Sequence, residues 1–213
     1  MNVTKRIVLI RHGQTDWNIE GRWQGTIDQP LNEEGLAQAR ILADHLDDRP
    51  ITAVYSSDLQ RAYQTALPLA ERKGLTVHTD PRLRELNLGV FQGLTHTEIS
   101  ERYPAEMAAM RDDYMGFVVP GGESRGAMQS RAVAALNDIA AREPGDEIAV
   151  ITHGGTIRVI LLKLLGDDPQ VTRVPIGNTS ITVLEQNGQG WRVVEETAAP
   201  HLDHMRRTDV DGL

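Results

Sequence analysis

The architecture of this chain can be predicted from the segment Ile7-Val8-Leu9-Ile10-Arg11-His12-Gly13. Its consecutive apolar residues are typical of a parallel strand that is buried on both faces of an α/β sheet. A cation, an imidazole and a glycine follow where the strand is expected to end. Because open α/β sheets bind their ligands at the carboxyl ends of the strands, this junction is a candidate functional site.

The same arrangement, a buried strand followed by polar residues, occurs twice more along the chain. The segments are Ile148-Ala149-Val150-Ile151-Thr152-His153-Gly154-Gly155 and Ile51-Thr52-Ala53-Val54-Tyr55-Ser56-Ser57-Asp58-Leu59-Gln60-Arg61. If the strands are parallel, His12, His153 and Arg61 leave the sheet at one edge and meet in one pocket. A lone histidine after a strand is more often an ordinary loop or core residue, but two histidines that each precede glycine indicate a site.

Helical patterns separate the predicted strands. They cover residues 32–47, 58–73, 95–102, 123–142 and 156–165. Asn32 is a predicted N-cap, as is Ser57 or Asp58 for the second helix, and Gly74 is predicted to end that helix. Pro68 predicts a kink or an early end within it. In the first helix, the predicted buried face consists of Leu36, Ala39, Ala43 and Leu46.

Two further strand patterns complete the predicted sheet. Residues 75–79 alternate apolar and polar, which indicates a strand less buried than the others. Residues 180–184 and 191–194 are typical of a hairpin joined through Asn187-Gly188. Strands that alternate with helices predict an α/β fold in which helices cover both faces of a sheet.

A length of 213 residues is enough for one α/β domain. We therefore predict a single domain over residues 1–213, with a small helical insertion at about 95–122 near the site and a polar tail at about 200–213. Ordinary core and loop is the alternative for residues 103–122.

Composition narrows the classes of protein. The net charge of −8 argues against a general nucleic-acid binder, although a pocket can still attract an anion. The absence of cysteine excludes disulfides and thiolate sites, and it fits a reducing cytoplasm. Apolar runs such as Val159–Leu162 are far too short to span a membrane, and the N-terminal run is too short for a signal peptide. We expect a soluble cytoplasmic protein with no nucleic-acid or membrane partner. The sequence does not decide between a monomer and a homodimer.

Two arginines at the predicted sheet edge favour an anionic ligand. The guanidinium groups of Arg11 and Arg61 match phosphate oxygens in a bidentate way. The helix starts near Arg61 and after Gly154-Gly155 add positive dipole character, and the glycines leave backbone N–H groups open to an anion. The alternative for Arg61 is a surface pair with Asp58 or Glu85.

The two histidines predict phosphoryl transfer. Neutral imidazole at His12 can attack phosphorus and form a phosphoramidate, and its place directly after a buried strand fixes its position. His153 can donate to a phosphate oxygen and stabilise the developing charge. A metal site of two histidines and a carboxylate is the rival interpretation, but the neighbouring arginines repel a divalent cation.

A phosphohistidine mechanism also needs an acid for the leaving alcohol and a base for the incoming water. Glu85 lies among apolar and glycine residues and is a candidate for both roles. A glutamate in a loop is more often only solvated, and spacing alone does not favour Glu85 over Glu33 or Glu123.

Taken in order, these motifs resemble the histidine phosphatase superfamily, also called the phosphoglycerate mutase-like family. The resemblance runs from Ile7 to about Thr182 and is carried by Arg11-His12-Gly13-Gln14-Thr15-Asp16-Trp17-Asn18, Gln24-Gly25-Thr26-Ile27-Asp28-Gln29-Pro30-Leu31, Ser56-Ser57-Asp58-Leu59-Gln60-Arg61-Ala62-Tyr63-Gln64-Thr65-Ala66, Leu83-Arg84-Glu85 and Thr152-His153-Gly154-Gly155. It implies a three-layer αβα sandwich with a mostly parallel central sheet and no metal or other cofactor.

The resemblance also implies roles for individual residues. It implies that His12 is phosphorylated, that Arg11, Arg61 and His153 surround the phosphate, and that Glu85 is the proton donor. Because His153 precedes glycine and not aspartate, the chain is similar to the branch that uses the glutamate after the third strand.

Further positions match the phosphate and substrate contacts of the family. Asn18 matches a phosphate contact, and Gln24 and Gly25 match a loop near the substrate. Gly154 belongs to the same expected binding set, since it opens the helix that follows the second His-Gly pair.

Three functions fit such a site. Cofactor-dependent mutases of this family have a longer segment between the glutamate and the second His-Gly pair, with extra basic residues in it. Here the interval from Glu85 to His153 is short and has no adjacent Arg-Arg pair, and residues 87–93 lack an Arg-His-Tyr-Gly run. These departures favour a phosphatase of small phosphorylated metabolites over a phosphoglycerate mutase. A non-catalytic phospho-ligand regulator is disfavoured, because binding an anion requires neither His12 nor Glu85.

Some residues allow two interpretations. His201 and His204 are spaced like a one-turn metal pair, but their polar surroundings favour a surface tail. Four aromatic residues are candidates either for a substrate wall or for ordinary packing: Trp23, Phe91, Tyr114 and Phe117.

Overall fold

A six-stranded mixed sheet forms the centre of the protein in the computed structural model, which describes residues 5–145, 147–166, 175–187 and 190–202. The strands are β1 (Lys5–Arg11), β2 (Ile51–Ser56), β3 (Val77–Thr79), β4 (Glu147–Thr152), β5 (Ile181–Asn187) and β6 (Gly190–Ala198), in the order β3-β2-β4-β1-β5-β6. The helices of the described residues are α1 (Asp16–Ile19), α2 (Glu33–His45), α3 (Gln60–Lys73), α4 (His96–Arg102), α5 (Pro104–Asp112), α6 (Arg125–Arg142) and α7 (Gly154–Leu165).

The strands that carry the motifs run parallel, so their carboxyl ends share one edge. β1 pairs with β4, β4 with β2 and β2 with β3, all in parallel. β5 is antiparallel to β1, and β6 is antiparallel to β5, as predicted for a hairpin. Gly188, half of the predicted hairpin turn, lies outside the described residues.

Helices cover both faces of the sheet. Successive residues of a strand point to opposite sides, so alternate residues of β1 pack against different helices. On one face Ile7 and Leu9 pack with buried residues of α6 and α7. On the other face Val8 and Ile10 pack with buried residues of α2 and α3. All four side chains are fully buried. The predicted αβα sandwich is therefore confirmed.

Helix ends mostly follow the local signals. The Asn32 side chain accepts from Gly35 N and caps α2, and Gly74 ends α3 with a left-handed φ of 64°. The predicted cap of α3 is wrong, because the helix begins at Gln60 and its N-cap residue makes no side-chain cap. Asp58 pairs instead with Arg84 at 2.6 Å.

Predictions about helix interiors hold only in part. Leu36 is 38% exposed, because the buried face of α2 is centred on Gln38, Ala39 and Leu42 and leaves it at the margin. Of the two outcomes predicted at Pro68, a kink stays a prediction, and an early end of the helix is wrong, because α3 continues to Lys73. Packing of its apolar face against the sheet holds the helix together across the missing N–H group.

Residues 95–122 contain α4 and α5, which lie beside the loop that follows α1. The predicted capping box is present, since Thr95 and Glu98 each accept a hydrogen bond from the other's backbone N–H. Ile99 and Met110 join a hydrophobic cluster that also buries Trp23. The division into a single domain with an insertion and a tail stays a prediction. None of the described helices has the length and apolar character needed to cross a membrane.

Candidate active site

His12 stands directly beyond β1, with its backbone N–H bonded to Thr152 O at 2.9 Å. Its ring is buried, and Nδ1 lies 2.7 Å from the carbonyl oxygen of Gly13. With Nδ1–H as the donor, the lone pair of the neutral ring lies on Nε2. Burial, followed by the charges of Arg61 and Arg11, holds the pKa of His12 well below the ordinary value of 6.5. The ring is therefore neutral at pH 7, the form that can attack phosphorus.

Arg61 is fully buried at the second position of α3. Its Nη1 donates to Ile27 O at 2.8 Å, its Nη2 to Gly25 O at 2.7 Å, and its Nε to His153 Nδ1 at 3.2 Å. Burial lowers the pKa of Arg61 to about 10, so the guanidinium remains charged at pH 7. The alternative of a surface ion pair is wrong, since the group is buried and bonded to the loop that carries Gly25.

Arg11 is the last residue of β1 and lies beside the start of α7. Its Nη1 donates to Ile176 O at 2.5 Å. A Cβ atom on Gly154 would lie 3.5 Å from Arg11 Nε, an ordinary contact distance. The guanidinium of Arg11 and the N-terminus of α7 thus place positive charge and positive dipole character on the same side of His12.

His153 follows β4 at the same sheet edge as His12. Its ring is fully buried, with its centroid 5.3 Å from that of His12. Nδ1 accepts from Arg61, and Nε2 lies 2.9 Å from Ser57 Oγ, so both ring nitrogens have protein partners. Burial and the Arg61 charge hold its pKa well below 6.5. A direct bond from His153 to the phosphate stays a prediction, and it would require the Ser57 contact to be exchanged.

The Glu85 carboxylate is held by two backbone N–H groups. Oε1 accepts from Leu86 N at 2.8 Å and Oε2 from Gly155 N at 2.9 Å, and the side chain is buried. A Cβ atom on Gly155 would lie only 2.5 Å from Oε1. Glycine at this position therefore allows the carboxylate to rest against the first turn of α7.

Asn18 presents one end of its amide to the pocket. Its Oδ1 accepts from the backbone N and the hydroxyl of Thr15, at 3.0 and 3.1 Å, and from Asn178 Nδ2 at 3.4 Å. Because the oxygen is occupied, the NH₂ group is the end available to an anion. Nearby, Gly25 has a left-handed φ of 53°, and a Cβ there would overlap the Gln92 side chain.

One pocket at the protein surface collects these groups. Its wall contains the predicted site residues Arg11, His12, Asn18, Gln24, Gly25, Arg61, Glu85 and Gly154. The wall does not include the predicted residue His153, whose ring is fully buried beside His12 and Arg61. Among the residues that the structure describes, no three His, Asp or Glu side chains are grouped to hold a metal ion.

The wall also contains residues that the sequence reasoning missed, notably Trp17 and Arg158. Arg158 lies three residues after Gly155 on α7, so helical spacing from the glycine pair could have identified it. Of the aromatic candidates, Trp23 lines the pocket, whereas Phe91 is fully buried and packs edge-on to Trp23 at 6.0 Å.

The other two aromatic candidates are packing residues. Phe117 packs against the cluster that contains Trp23, and the ring of Tyr114 lies 4.2 Å from the Arg125 guanidinium carbon. The surface prediction for His201 is wrong, since the residue is buried and its Nε2 lies 3.0 Å from Thr179 Oγ1. His204 lies outside the described residues.

Comparison with known proteins identifies a family. The chain is 40% identical over 182 residues to glucosyl-3-phosphoglycerate phosphatase of Mycobacterium tuberculosis, covering 82% of this chain and 78% of that protein. It is 38% identical over 203 residues to metal-independent phosphoserine phosphatase of Arabidopsis thaliana, covering 93% and 84%. The solved structure of mycobacterial glucosyl-3-phosphoglycerate phosphatase in complex with VO3 superposes with a TM-score of 0.82 at 36% identity, covering 92% of this chain and all of that one. Residues 7–198 also match the sequence model of a protein family, and the protein therefore belongs to the histidine phosphatase superfamily, branch 1.

Proposed function

We propose that the protein hydrolyses phosphomonoesters of small metabolites by passing the phosphoryl group first to Nε2 of His12 and then to water. The observation that carries this proposal is the state of His12: a buried neutral ring whose Nδ1 is bonded to Gly13 O, leaving the Nε2 lone pair. Two arginines near the same ring supply the charge that a phosphate dianion needs.

In the first half-reaction, Nε2 of His12 attacks phosphorus while Arg11, Arg61 and the Asn18 amide hold the equatorial oxygens. The P–O ester bond breaks, and its electron pair leaves with the alkoxide oxygen. Protonated Glu85 gives its proton to that oxygen, so the leaving group departs as a neutral alcohol.

In the second half-reaction, the Glu85 carboxylate accepts a proton from water as the water oxygen attacks phosphorus. The P–N bond breaks, its electron pair returns to Nε2, and inorganic phosphate leaves. One carboxyl group thus serves as acid and then as base, which its fixed position against α7 permits.

The sequence between the two motifs favours hydrolysis over mutase chemistry. The interval from Glu85 to His153 is short and has no adjacent Arg-Arg pair, so it lacks the extra basic residues expected of a cofactor-dependent mutase. The relatives named above are phosphatases. Phosphoglycerate mutase activity is the runner-up, and a non-catalytic regulator is disfavoured by the retained His12 and Glu85.

The substrate class can be narrowed further. The names of the two relatives specify phosphomonoesters of a glycerate and of serine, and both compounds carry a carboxylate near the ester. In this chain Arg158 lines the pocket one helical turn beyond Gly155, where it can face such a group. We propose a small phosphorylated acid as the substrate. A cytoplasmic location and a homodimer stay predictions.

A substrate panel tests the proposal. Phosphate release is measured from phosphoserine and 3-phosphoglycerate, and from phosphoethanolamine and glycerol 3-phosphate, which lack the carboxylate. Interconversion of 3- and 2-phosphoglycerate is assayed in parallel with bisphosphoglycerate present. We expect release from the acids and no interconversion. Fast interconversion with little release would identify a mutase, and equal release from all four esters would refute the carboxylate preference.

A further inference from the structure

A buried segment behind His12 takes no part in the reaction as described, yet it contacts three of the proposed site residues. This segment comprises residues 176–180, immediately before β5. Ile176 O accepts from the Arg11 side chain, Ser180 O accepts from Arg11 N at 3.2 Å, and Thr179 N lies 3.1 Å from Arg11 O and 3.4 Å from His12 O. The backbone of β1 is thus bonded to this segment at its last residue and at the histidine that follows.

The Asn178 side chain makes the most specific of these contacts. Its Nδ2 donates to His12 O at 3.0 Å and lies 3.4 Å from Asn18 Oδ1, and the residue is 7% exposed. One amide group therefore joins the backbone of the proposed nucleophile to the side chain of a proposed phosphate ligand. On the opposite side, His12 N is bonded to Thr152 O.

The backbone that presents Asn178 is strained. Thr179 has a φ of 53°, and among the residues that the structure describes no other non-glycine residue has a positive φ. A β-branched residue in the left-handed region costs free energy, so surrounding contacts must hold it there. Thr179 is fully buried, and its hydroxyl is bonded to His201, which stacks on His45 with ring centroids 5.1 Å apart.

Nucleophilic attack is sensitive to such restraints. The Asn178 amide holds His12 O, in the peptide group between His12 and Gly13. Rotation of that group would shift Gly13 and thereby move Gly13 O, the partner of Nδ1 in the next peptide group, and with it the direction of Nε2. Loss of the donor to Asn18 Oδ1 would also loosen the amide end that faces the pocket. Misplacement of a reacting atom by about 1 Å can cost about 10²-fold in rate.

From these contacts we propose that Asn178 is a positioning residue for the phosphoryl transfer, acting through His12 and Asn18 and held in place by the left-handed Thr179 and by His201. The inference rests on the proposed function. It assigns to Asn178 an effect on the rate of attack on phosphorus, and only a small effect on the binding of inorganic phosphate.

The test compares Asn178→Ala with Ser180→Ala. Ser180 lies in the same segment, and its buried hydroxyl has no hydrogen-bond partner among the described residues, so this variant is a matched control. Single-turnover release of p-nitrophenolate from p-nitrophenyl phosphate gives the rate of attack. Acid-labile label on His12 counts the active sites, and inhibition by phosphate and vanadate probes the site.

We expect Asn178→Ala to lower the transfer rate per active site about 10- to 100-fold with less than about threefold change in KM. Vanadate, whose five-coordinate form needs an aligned Nε2, should lose at least about tenfold more affinity than phosphate. Ser180→Ala should stay within about twofold of wild type on each measure. Should Asn178→Ala fail to fold, Asn178→Leu fills a similar volume, removes the donor without adding a charge and is expected to show the same loss.

Two results would overturn the inference: a transfer rate per active site within twofold of wild type in the Asn178 variants, or an equal loss in Ser180→Ala. A purely structural role would reduce the number of labelled sites and leave the rate of each one unchanged. Failure of the proposed function itself would look different, because wild type would then form no phosphohistidine.

Discussion

The replacement of Gly155 by alanine should separate the proposed acid role of Glu85 from the binding of phosphate. The new Cβ would lie 2.5 Å from Glu85 Oε1, whereas real Cβ contacts are essentially never below 3.0 Å. The carboxylate must therefore retreat by about 0.5 Å, and its bond from Gly155 N must lengthen, which we expect to cost roughly 10- to 100-fold in proton transfer. The fold should not suffer, because alanine in the first turn of a helix is favoured over glycine by up to about 1 kcal/mol.

The assay for Gly155→Ala uses two leaving groups. Alkyl phosphates need a proton on the departing oxygen, whereas p-nitrophenolate hardly does. We expect kcat/KM to fall about 10- to 100-fold for the alkyl ester and less than about threefold for p-nitrophenyl phosphate. In Gly154→Ala the new Cβ would lie 3.5 Å from Arg11 Nε, and kcat/KM should change by the same factor for both substrates. A loss in Gly155→Ala that is equal for the two esters would refute the reasoning about Glu85.

Three further predictions test the nucleophile, the buried imidazoles and a buried ion pair. His12→Ala should remain folded and lose all acid-labile, hydroxylamine-sensitive label from a radioactive ester, and label that persists in it would exclude His12 as the nucleophile. The folded-state pKa values of His12 and His153 are lowered, so below about pH 6.5 the unfolded chain binds protons that the folded chain does not. As the pH is lowered below this value, the free energy of unfolding should therefore decrease by up to about 1.4 kcal/mol per pH unit for each histidine. Urea unfolding at several pH values measures this slope, which should be smaller in His12→Ala, and an unchanged slope there contradicts the burial argument. Arg49→Ala leaves the buried Glu147 carboxylate without the guanidinium that lies 2.5 Å away, and should lower the free energy of unfolding by about 3–5 kcal/mol; a loss below about 1 kcal/mol would show that the pair is dispensable.

Local signals in the sequence were sufficient for the central features of the fold. A run of apolar residues such as Ile7–Ile10 is buried on both faces of the sheet. A glycine after a helix readily adopts the left-handed conformation that ends it, as Gly74 does. The edge that gathers His12, Arg61 and Glu85 follows from parallel pairing, which the strand patterns predicted.

Other features depend on contacts that no local pattern contains. His153 was placed correctly along the chain, but its ring nitrogens contact Ser57, which follows the neighbouring strand β2, and Arg61 in the first turn of α3. Pro68 was expected to kink a helix or to end it early, and tertiary packing carries that helix on to Lys73. Asn178 lies far along the chain from His12, and its partner there is a backbone carbonyl group. Every residue has such a group, so no sequence pattern could have predicted this contact.

The pairing of β1 on both sides has a consequence for how the enzyme loses activity. β1 lies between β4 and β5, and the amides of Val8 to Ile10 are therefore shielded by the middle of the sheet. Hydrogen exchange at such amides requires the cooperative opening of the whole sheet, whereas edge strands such as β3 can open alone. The proposed nucleophile thus follows directly on a strand that we expect to open last, and heat or denaturant should abolish turnover in the same transition that unfolds the core.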